Sequence, residues 1–418
     1  MDSGGRTATA WVVPDARGRS FVQVRPRVLV VLVSLASGVA QSFGRFSYAL
    51  LLPAINRDVL GSYAVAGLVA TANVGAYLVG TLAVSSLSRR ARPATLIKAG
   101  LGCCAVGLAL LARAGGAGTL AMGLVLTGLG GAFVWVPAPG LAGAVVRPSR
   151  RGAAIGVAGS GIGGGIVVAS ALASRLHATG WDAYWRTVYL VEAAIAVAVL
   201  IACLLALRPV PHRDDDAPVR AGALRRVPGW LGLTAGYTAY GLAYSVYTSY
   251  LVTALEDDAG FAPGHAAGVY TLVGVGMVGG GVLLGPLSDR WGRGRTLIGG
   301  YLAMAGTILL VPLGIEPLAS ASALLFGVTM SGLPAVIAAH LSDFLRPREF
   351  AGAFGRCTLA FGLAQVAGPP LGGFLAEATA GFLLPFLLAG VVAAAGAGAS
   401  LAVLRAPDPR PEAGGVRP

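Results

Sequence analysis

The sequence predicts an all-α membrane protein with twelve transmembrane helices, and three observations predict it. Of 418 residues, 56% are hydrophobic and only 12% charged, where an ordinary soluble domain carries about 25% charge. Apolar runs of about 20 residues, the length that crosses a bilayer as a helix, recur from Val28 to Leu404. The positive charge is also unevenly placed: Lys98 is the only lysine, and the arginines fall in short clusters at alternate connections. That distribution is a topology signal. The net charge of +13 is therefore no argument for nucleic acid, and no nucleic-acid partner is expected.

The chain begins with Met1–Arg27, a polar, arginine-bearing stretch interrupted by Pro and Gly. It lacks the apolar core of a signal peptide and is read as a disordered cytoplasmic tail. Hydropathy and breakers then place six segments at about 28–52, 64–87, 95–113, 118–145, 152–174 and 187–207, with ends good to a few residues. Within the fourth, Pro137 and Pro139 bend the helix and free backbone carbonyls. The fifth carries Gly159, Gly161 and Gly163–Gly165, small residues that allow close helix contact in lipid. Arg208–Pro228, RPVPHRDDDAPVRAGALRRVP, is too polar for a bilayer and reads as a linker. Six further segments follow at about 229–254, 266–288, 295–314, 319–341, 352–376 and 381–404.

Placing the N-terminus inside puts 25 of the 31 basic residues in tails and connections on the cytoplasmic side, and leaves Arg57, Arg113, Arg175 and Arg186 outside. Both termini are thus expected in the cytoplasm. The domain plan is a tail at 1–27, an N-terminal bundle at 28–207, a linker at 208–228, a C-terminal bundle at 229–404 and a tail at 405–418. The two halves repeat. RPSRRGAAIG at Arg147–Gly156 aligns with RPREFAGAFG at Arg346–Gly355, and ANVGAYLVG at Ala72–Gly80 with MVGGGVLLG at Met277–Gly285. Cys103, Cys104, Cys203 and Cys357 lie in or beside apolar runs with no disulfide or metal spacing.

The stretch GPLSDRWGRGR, Gly285–Arg295, stands where the eighth segment stops. It resembles the cytoplasmic loop signature of the major facilitator superfamily. The resemblance implies a gating role for Gly285, Asp289, Arg290, Gly292, Arg293 and Arg295. An Asp ending one helix suits the positive N-terminus of a helix in the other half, glycines permit the tight turn, and arginines hold the loop inside. In the first half Val84 and Ser85 stand where Asp289 and Arg290 would, so a one-sided latch from Asp289 to helix 5 near Gly152 is expected. Gly44–Pro53, GRFSYALLLP, with Ala70–Gly80, ATANVGAYLVG, and Phe361–Gln365 followed by Gly368-Pro369-Pro370, resemble the YbfB/YjiJ-type branch of that superfamily. Ala76 departs from the branch pattern. The GPPLGG run and Gly156–Gly165 also look like monocarboxylate or oxalate carriers. The resemblance implies two pseudo-symmetric six-helix bundles related by an axis along the membrane normal, and transport.

Arg45 is the sharpest binding candidate. It lies inside the first helix, with Gln41 four residues before and Tyr48 three after, all on one face. A charge at that depth is costly and usually faces a cavity, where a guanidinium can hold a carboxylate or phosphate; the bland alternative is an arginine snorkelling to the interface or bonding backbone carbonyls. Helix 7 carries tyrosines at three- and four-residue spacing, of which Tyr240, Tyr244 and Tyr247 are expected at the cavity, with plain helix packing as the alternative. Asn73, Trp135 and Gln365 are weaker binding candidates that serve equally as interhelical partners. Arg356 at the start of helix 11 is expected to pair with Glu349 or Asp343 at an inner gate. No carboxylate reads as a midplane proton carrier: Glu192 and Glu377 are placed at outer helix ends, His340 and Asp343 at an inner one.

No nucleophile–base pair, phosphate loop or metal cluster is present in the pattern, so no enzyme, cofactor or metal is expected. The expectation is a secondary active or facilitative transporter in the plasma (inner) membrane, a monomer in the lipid bilayer. A small-molecule substrate, first of all an organic anion, crosses by alternating access, and a coupling proton stays open. The alternatives are proton-coupled efflux of amphipathic compounds and a non-transporting membrane sensor or scaffold.

Overall fold

The computed structural model describes residues 12–14, 20–22, 26–87, 91–147, 151–178, 184–207 and 222–405. Most of the expected linker and nearly all of the C-terminal tail fall outside them. Twelve long helices make up the body: α1 Pro26–Leu60, α2 Tyr63–Leu87, α3 Pro93–Leu111, α4 Ala117–Ala144, α5 Arg151–His177, α6 Tyr184–Ala206, α7 Trp230–Thr253, α8 Pro263–Trp291, α9 Arg293–Leu310, α10 Glu316–Phe344, α11 Pro347–Thr379 and α12 Leu383–Leu404. Among the described residues eleven of these are apolar and long enough to span a bilayer. The exception is α7, which has the length, at 24 residues, but carries Tyr237, Tyr240, Tyr244, Tyr247 and Tyr250 with several Thr and Ser.

The ends follow local chemistry. Pro93, Pro263 and Pro347 occupy first helical positions, where the missing N–H costs nothing and φ is already set. Gly61 closes α1 in the left-handed region, with φ 64°, a conformation glycine adopts freely. α1 runs past its expected end because Asn56–Leu60 winds into a π-helical turn before Gly61. A second π-helical stretch, Val39–Phe46, sits in its middle. α4 breaks after Trp135 and restarts at Ala138, as Pro137 requires. Near the N-terminus, Val12–Pro14 pairs antiparallel with Ser20–Val22; the segment read as disordered contains a short hairpin.

Packing repeats after six helices. α1 lies on α5, α2 on α4, α3 on α4 and on α6; likewise α7 lies on α11, α8 on α10, α9 on α10 and on α12. The halves meet along two matching seams, α2 with α11 and α5 with α8, and where the second part of α1 lies on α7. At the α5/α8 seam a β-carbon on Gly163 would stand 2.5 Å from Gly274 O, and one on Gly274 2.7 Å from Gly163 O. Only glycine permits this approach, which supplies contact where lipid gives no hydrophobic drive between helices.

The two ends of the bundle differ. At the face opposite the termini, polar groups bridge the halves: Arg57 reaches Glu256 at 3.0 Å and Asp257 at 3.5 Å, and the Tyr63 hydroxyl also donates to Asp257. Ser62 donates to Glu377 at 2.7 Å and Ala64 N–H to the same oxygen at 3.0 Å. These contacts tie the two halves together at this face. At the terminal face, the ion pairs among the described residues join second-half helices or the approach to α7: Arg293 with Asp343 at 2.9 Å and with Asp289 at 2.7 Å, and Arg226 with Glu349 at 2.7 Å.

Candidate functional site

The site grows out of the π-helical stretch of α1. Such stretches carry an extra residue per turn, are rare, and cluster at functional sites. Arg45 lies within it, half-buried. Its guanidinium carbon is 5.4 Å from the Tyr244 ring centroid on α7 and 5.7 Å from that of Phe46. With the Gln365 amide on α11 oriented by its hydrogen bonds, its oxygen accepts from Nη1 at 3.3 Å and from Nη2. Among the described residues no carboxylate pairs with Arg45. The charge is held by an aromatic face and one neutral amide, which leaves it available to an anion.

Beside it lies a cavity of about 20 Å³, bounded by Arg45, Tyr48, Asn73, Thr248 and Pro369, room for about one water molecule. Towards the terminal face the neighbourhood becomes aromatic. Tyr240 and Tyr244 stack with centroids 5.5 Å apart and planes 2° from parallel; Phe361 on α11 stacks on Tyr237 at 4.7 Å and on Tyr240 at 5.6 Å. Tyr237 then stacks with Phe354 at 6.3 Å, and Phe354 with Phe350 at 5.5 Å. The rings form one run along α7 and α11, from the first turn of α11 to Arg45.

The structure sets Tyr244 and Gln365 on Arg45 and gives most of the other candidates hydrogen-bond partners of their own. Gln41 donates to Gly131 O at 3.0 Å, and Asn73 to Leu124 O and Thr127 Oγ1, both at 3.0 Å. Tyr48 lines the small cavity while its hydroxyl bonds Ala66 O at 3.0 Å, and Tyr240 bonds Met330 O at 2.6 Å. Tyr247 stands outside the group: its ring lies 3.6 Å from Phe326 and its hydroxyl meets Ser322 at 2.9 Å. Trp135, half-buried, faces Gly159 on α5. Sequence reading passed over Phe361, although it stands one turn before Gln365 on the same helix face. It also passed over Tyr77 and Tyr270, both within electrostatic reach of Arg45.

Two expectations change. Arg356 takes neither expected partner, because Glu349 binds Arg226 and Asp343 binds Arg293; Arg356 is exposed. Glu192 does not sit at an outer helix end. It lies eight residues into α6, fully buried, and accepts a hydrogen bond from Ser47 on α1. Of the loop motif, Asp289 pairs with Arg293, while Arg290 and Arg295 are exposed. Gly292, with φ 90°, makes the turn from α8 to α9. The expected latch falls at the first turn of α5 near Gly152, next to residues 148–150, which lie outside the described ones.

Beyond the end of α7 the far-face carboxylates are perturbed. Burial pushes Glu256 up to about 6, partly opposed by Arg57, and burial also raises Asp258. At the terminal face, Arg226 holds Glu349 below the usual carboxylate range.

Comparison with known proteins gives one consistent picture. The profile of the family described as the uncharacterised MFS-type transporter YbfB matches residues 37–401. A chloramphenicol efflux pump of Mycobacterium tuberculosis is 26% identical over 63% of this chain and 66% of its own length. Monocarboxylate transporter 13 of Bos taurus is 27% identical over 60% of this chain and 59% of its own. YbcL, an uncharacterized MFS-type transporter of Bacillus subtilis, is 25% identical over 45% of this chain and 48% of its own. The matched stretch thus spans about half to two thirds of these relatives. Among solved structures, a bacterial homolog to the human lysosomal transporter Spinster superposes with a TM-score of 0.72 at 17% identity, over 94% of this chain and all of that one.

Proposed function

Because the chain belongs to the YbfB-type family of major facilitator transporters, we propose that it carries a small organic anion, an aromatic carboxylate first of all, across the plasma membrane. The fold is that of a transporter that exposes a central site alternately to the two sides. The observation that supports an anion is Arg45: a guanidinium deep in the bundle, set against Tyr244 and Gln365, with no carboxylate on it among the described residues. A ligand carboxylate there would gain a charge-assisted bond worth about 1.5–3 kcal/mol. The ring run from Phe350 to Tyr244 supplies stacking partners for an aromatic body. One relative is a monocarboxylate transporter by name. The carrier works as two six-helix halves, 28–207 and 229–404, and as a monomer.

A second reading has support in the same rings and in the other relative's name, a chloramphenicol efflux pump: export of neutral or amphipathic aromatic compounds, with Arg45 serving structure alone. Thermal stabilisation of the purified protein separates the two. Benzoate should stabilise it more than acetate, and Arg45→Gln should weaken benzoate roughly 10- to 100-fold, in line with the bond it removes. Phe361→Ala should erase the advantage of benzoate over acetate while acetate still binds. Stabilisation by chloramphenicol and not by benzoate, equal in wild type and Arg45→Gln, would replace the anion reading with the efflux one.

A further inference from the structure

We propose that Glu192 is a proton-binding site whose occupancy is coupled to the Arg45 cavity, making the carrier a proton–anion symporter; the coupling part rests on the anion reading above. Glu192 lies about 12 Å along α6 from its start at Tyr184, at 1.5 Å per residue, and no part of it is exposed. Oε1 accepts the Ser47 hydroxyl, and Oε2 has no partner. The Tyr189 hydroxyl, on the same face of α6 one turn earlier, is also buried without a partner. On α5 the Ser170 hydroxyl is a third buried orphan. The register that sets Ser34 on Val157 and Ser42 on Ile162 places it near the depth of Ser47. Buried polar atoms are nearly always satisfied, and orphans mark sites that take up water or protons.

Among the described residues no charge compensates an ionised Glu192. From α1 it faces Ser47, and Tyr189 lies within electrostatic reach of both Glu192 and Tyr48. On α3, Lys98 lies near Cys203 at the other end of α6, and Cys104 faces Thr127 O. On α5, His177 packs on Tyr184 at the far end of α6, with Arg175 two residues away. Arg186 is engaged by Asp58 and Ala114 O, and Arg45 by Tyr244 and Gln365. A lone carboxylate in such surroundings is neutral at rest, because ionising it without a partner costs several kcal/mol by order of magnitude.

Ser47 is what links this acid to the substrate site. Its backbone N–H closes the last π-helical bond, onto Ser42 O, while its side chain holds Glu192. The residue that ends the Arg45-bearing stretch is thus the one that senses the proton. Tyr48, next in sequence, lines the Arg45 cavity. Hydronium on the open side gives its proton to Oε2 and leaves water, and the proton passes back to water as hydronium when the site opens to the other side; no other bond changes. An anion on Arg45 with Glu192 protonated keeps the half-bundle free of net negative charge. An anion with Glu192 ionised does not. Anion affinity should therefore fall as pH rises through the titration of Glu192, and by reciprocity the anion should hold the proton in place.

The test uses the full chain in lipid, with two readouts. Infrared difference spectra recorded while pH is stepped should show a protonated carboxyl C=O band that bleaches on alkalinisation; it should be missing in Glu192→Gln and shifted in Glu192→Asp. Benzoate affinity should drop at least tenfold from acid to alkaline pH in wild type and stay flat in Glu192→Gln, at the acid-side value. A titrating band that survives Glu192→Gln, or no such band in wild type, overturns the proton site. A band that behaves as expected, with no benzoate bound by either protein at any pH, upholds the proton site and removes the anion reading instead.

Discussion

Acidifying the far face should tighten its seal, and Glu256 sets the size of the effect. Its side chain is 4% exposed, with Arg57 Nη2 at 3.0 Å, and burial outweighs that partner, so its pKa stands at about 6 against an ordinary 4.5. When the halves part at this face, Glu256 meets water and returns to its ordinary value. The closed state therefore binds the proton more tightly. Above pH 6 both states are ionised and the residue contributes no pH dependence. As pH falls from about 6 to 4.5 the closed state takes up its proton first and gains stability, and below 4.5 the gain is complete. That interval corresponds to about 2 kcal/mol, roughly 30-fold in the closed-to-open ratio. Asp258, also raised by burial, accepts Phe382 N–H at 2.7 Å within the second half, whereas Glu377, whose ionised form accepts the Ser62 hydroxyl and Ala64 N–H across the face, acts in the opposite direction. Spin labels on Arg113→Cys and Leu313→Cys, in far-face connections of opposite halves, would report the opening as a distance, with the four native cysteines replaced by alanine. The short-distance population should grow on acidification. Glu256→Gln, permanently neutral, should hold the acid-side population at every pH apart from the opposing slope of Glu377. A wild-type population that shifts towards opening in acid, or an undiminished slope in Glu256→Gln, would refute the reasoning.

Two further outcomes follow from packing and pairing. Gly163→Leu puts a side chain where even a β-carbon would be 2.5 Å from Gly274 O. It should prise the α5/α8 seam apart and lower stability by about 1–3 kcal/mol, the usual cost of overpacking, visible as a lower melting temperature; an unchanged melt would show that the seam is not close-packed in the membrane. Arg293→Gln removes the partner of Asp343 at 2.9 Å and of Asp289 at 2.7 Å, with only 12% of the arginine side chain exposed. Stability should fall by about 1–3 kcal/mol, less than for a fully buried pair, and Asp343→Asn in the same background should restore part of it.

Most of the scaffold was legible because lipid imposes strong rules. Eleven of the twelve spans, the break at Pro137, the turn at Gly292 and the six-helix repeat all follow from apolar length, proline and glycine, which act locally. The hydrophobic pattern also found Arg45, since a charge deep in an apolar run is conspicuous. What the sequence hid was partnership. Nothing local says that Gln365, not Gln41, meets the guanidinium, or that Tyr247 turns into the second half's core while Tyr244 faces Arg45; both are settled by how α7 and α11 are rotated against α1. Glu192 was misplaced for a related reason. An expected start near 187 put it at an outer end, whereas α6 begins at Tyr184 and carries Glu192 down to Ser47. The far-face network joins residues about 200 and about 315 positions apart, beyond any local pattern.

The polarity of α7 bears on how the chain comes to be assembled. Its tyrosine hydroxyls are satisfied by groups on other helices: Met330 O and Ser322 Oγ on α10, and Pro369 O on α11. Both helices emerge from the ribosome after it. A segment whose polar groups find partners only in later-made helices has little reason to settle in lipid when it is synthesised. The second half is then expected to enter the bilayer as a cooperative group, with α7 held at the water boundary until α10 and α11 arrive. Truncation before α10 should therefore leave α7 open to protease digestion in nascent chains, while the full chain protects it.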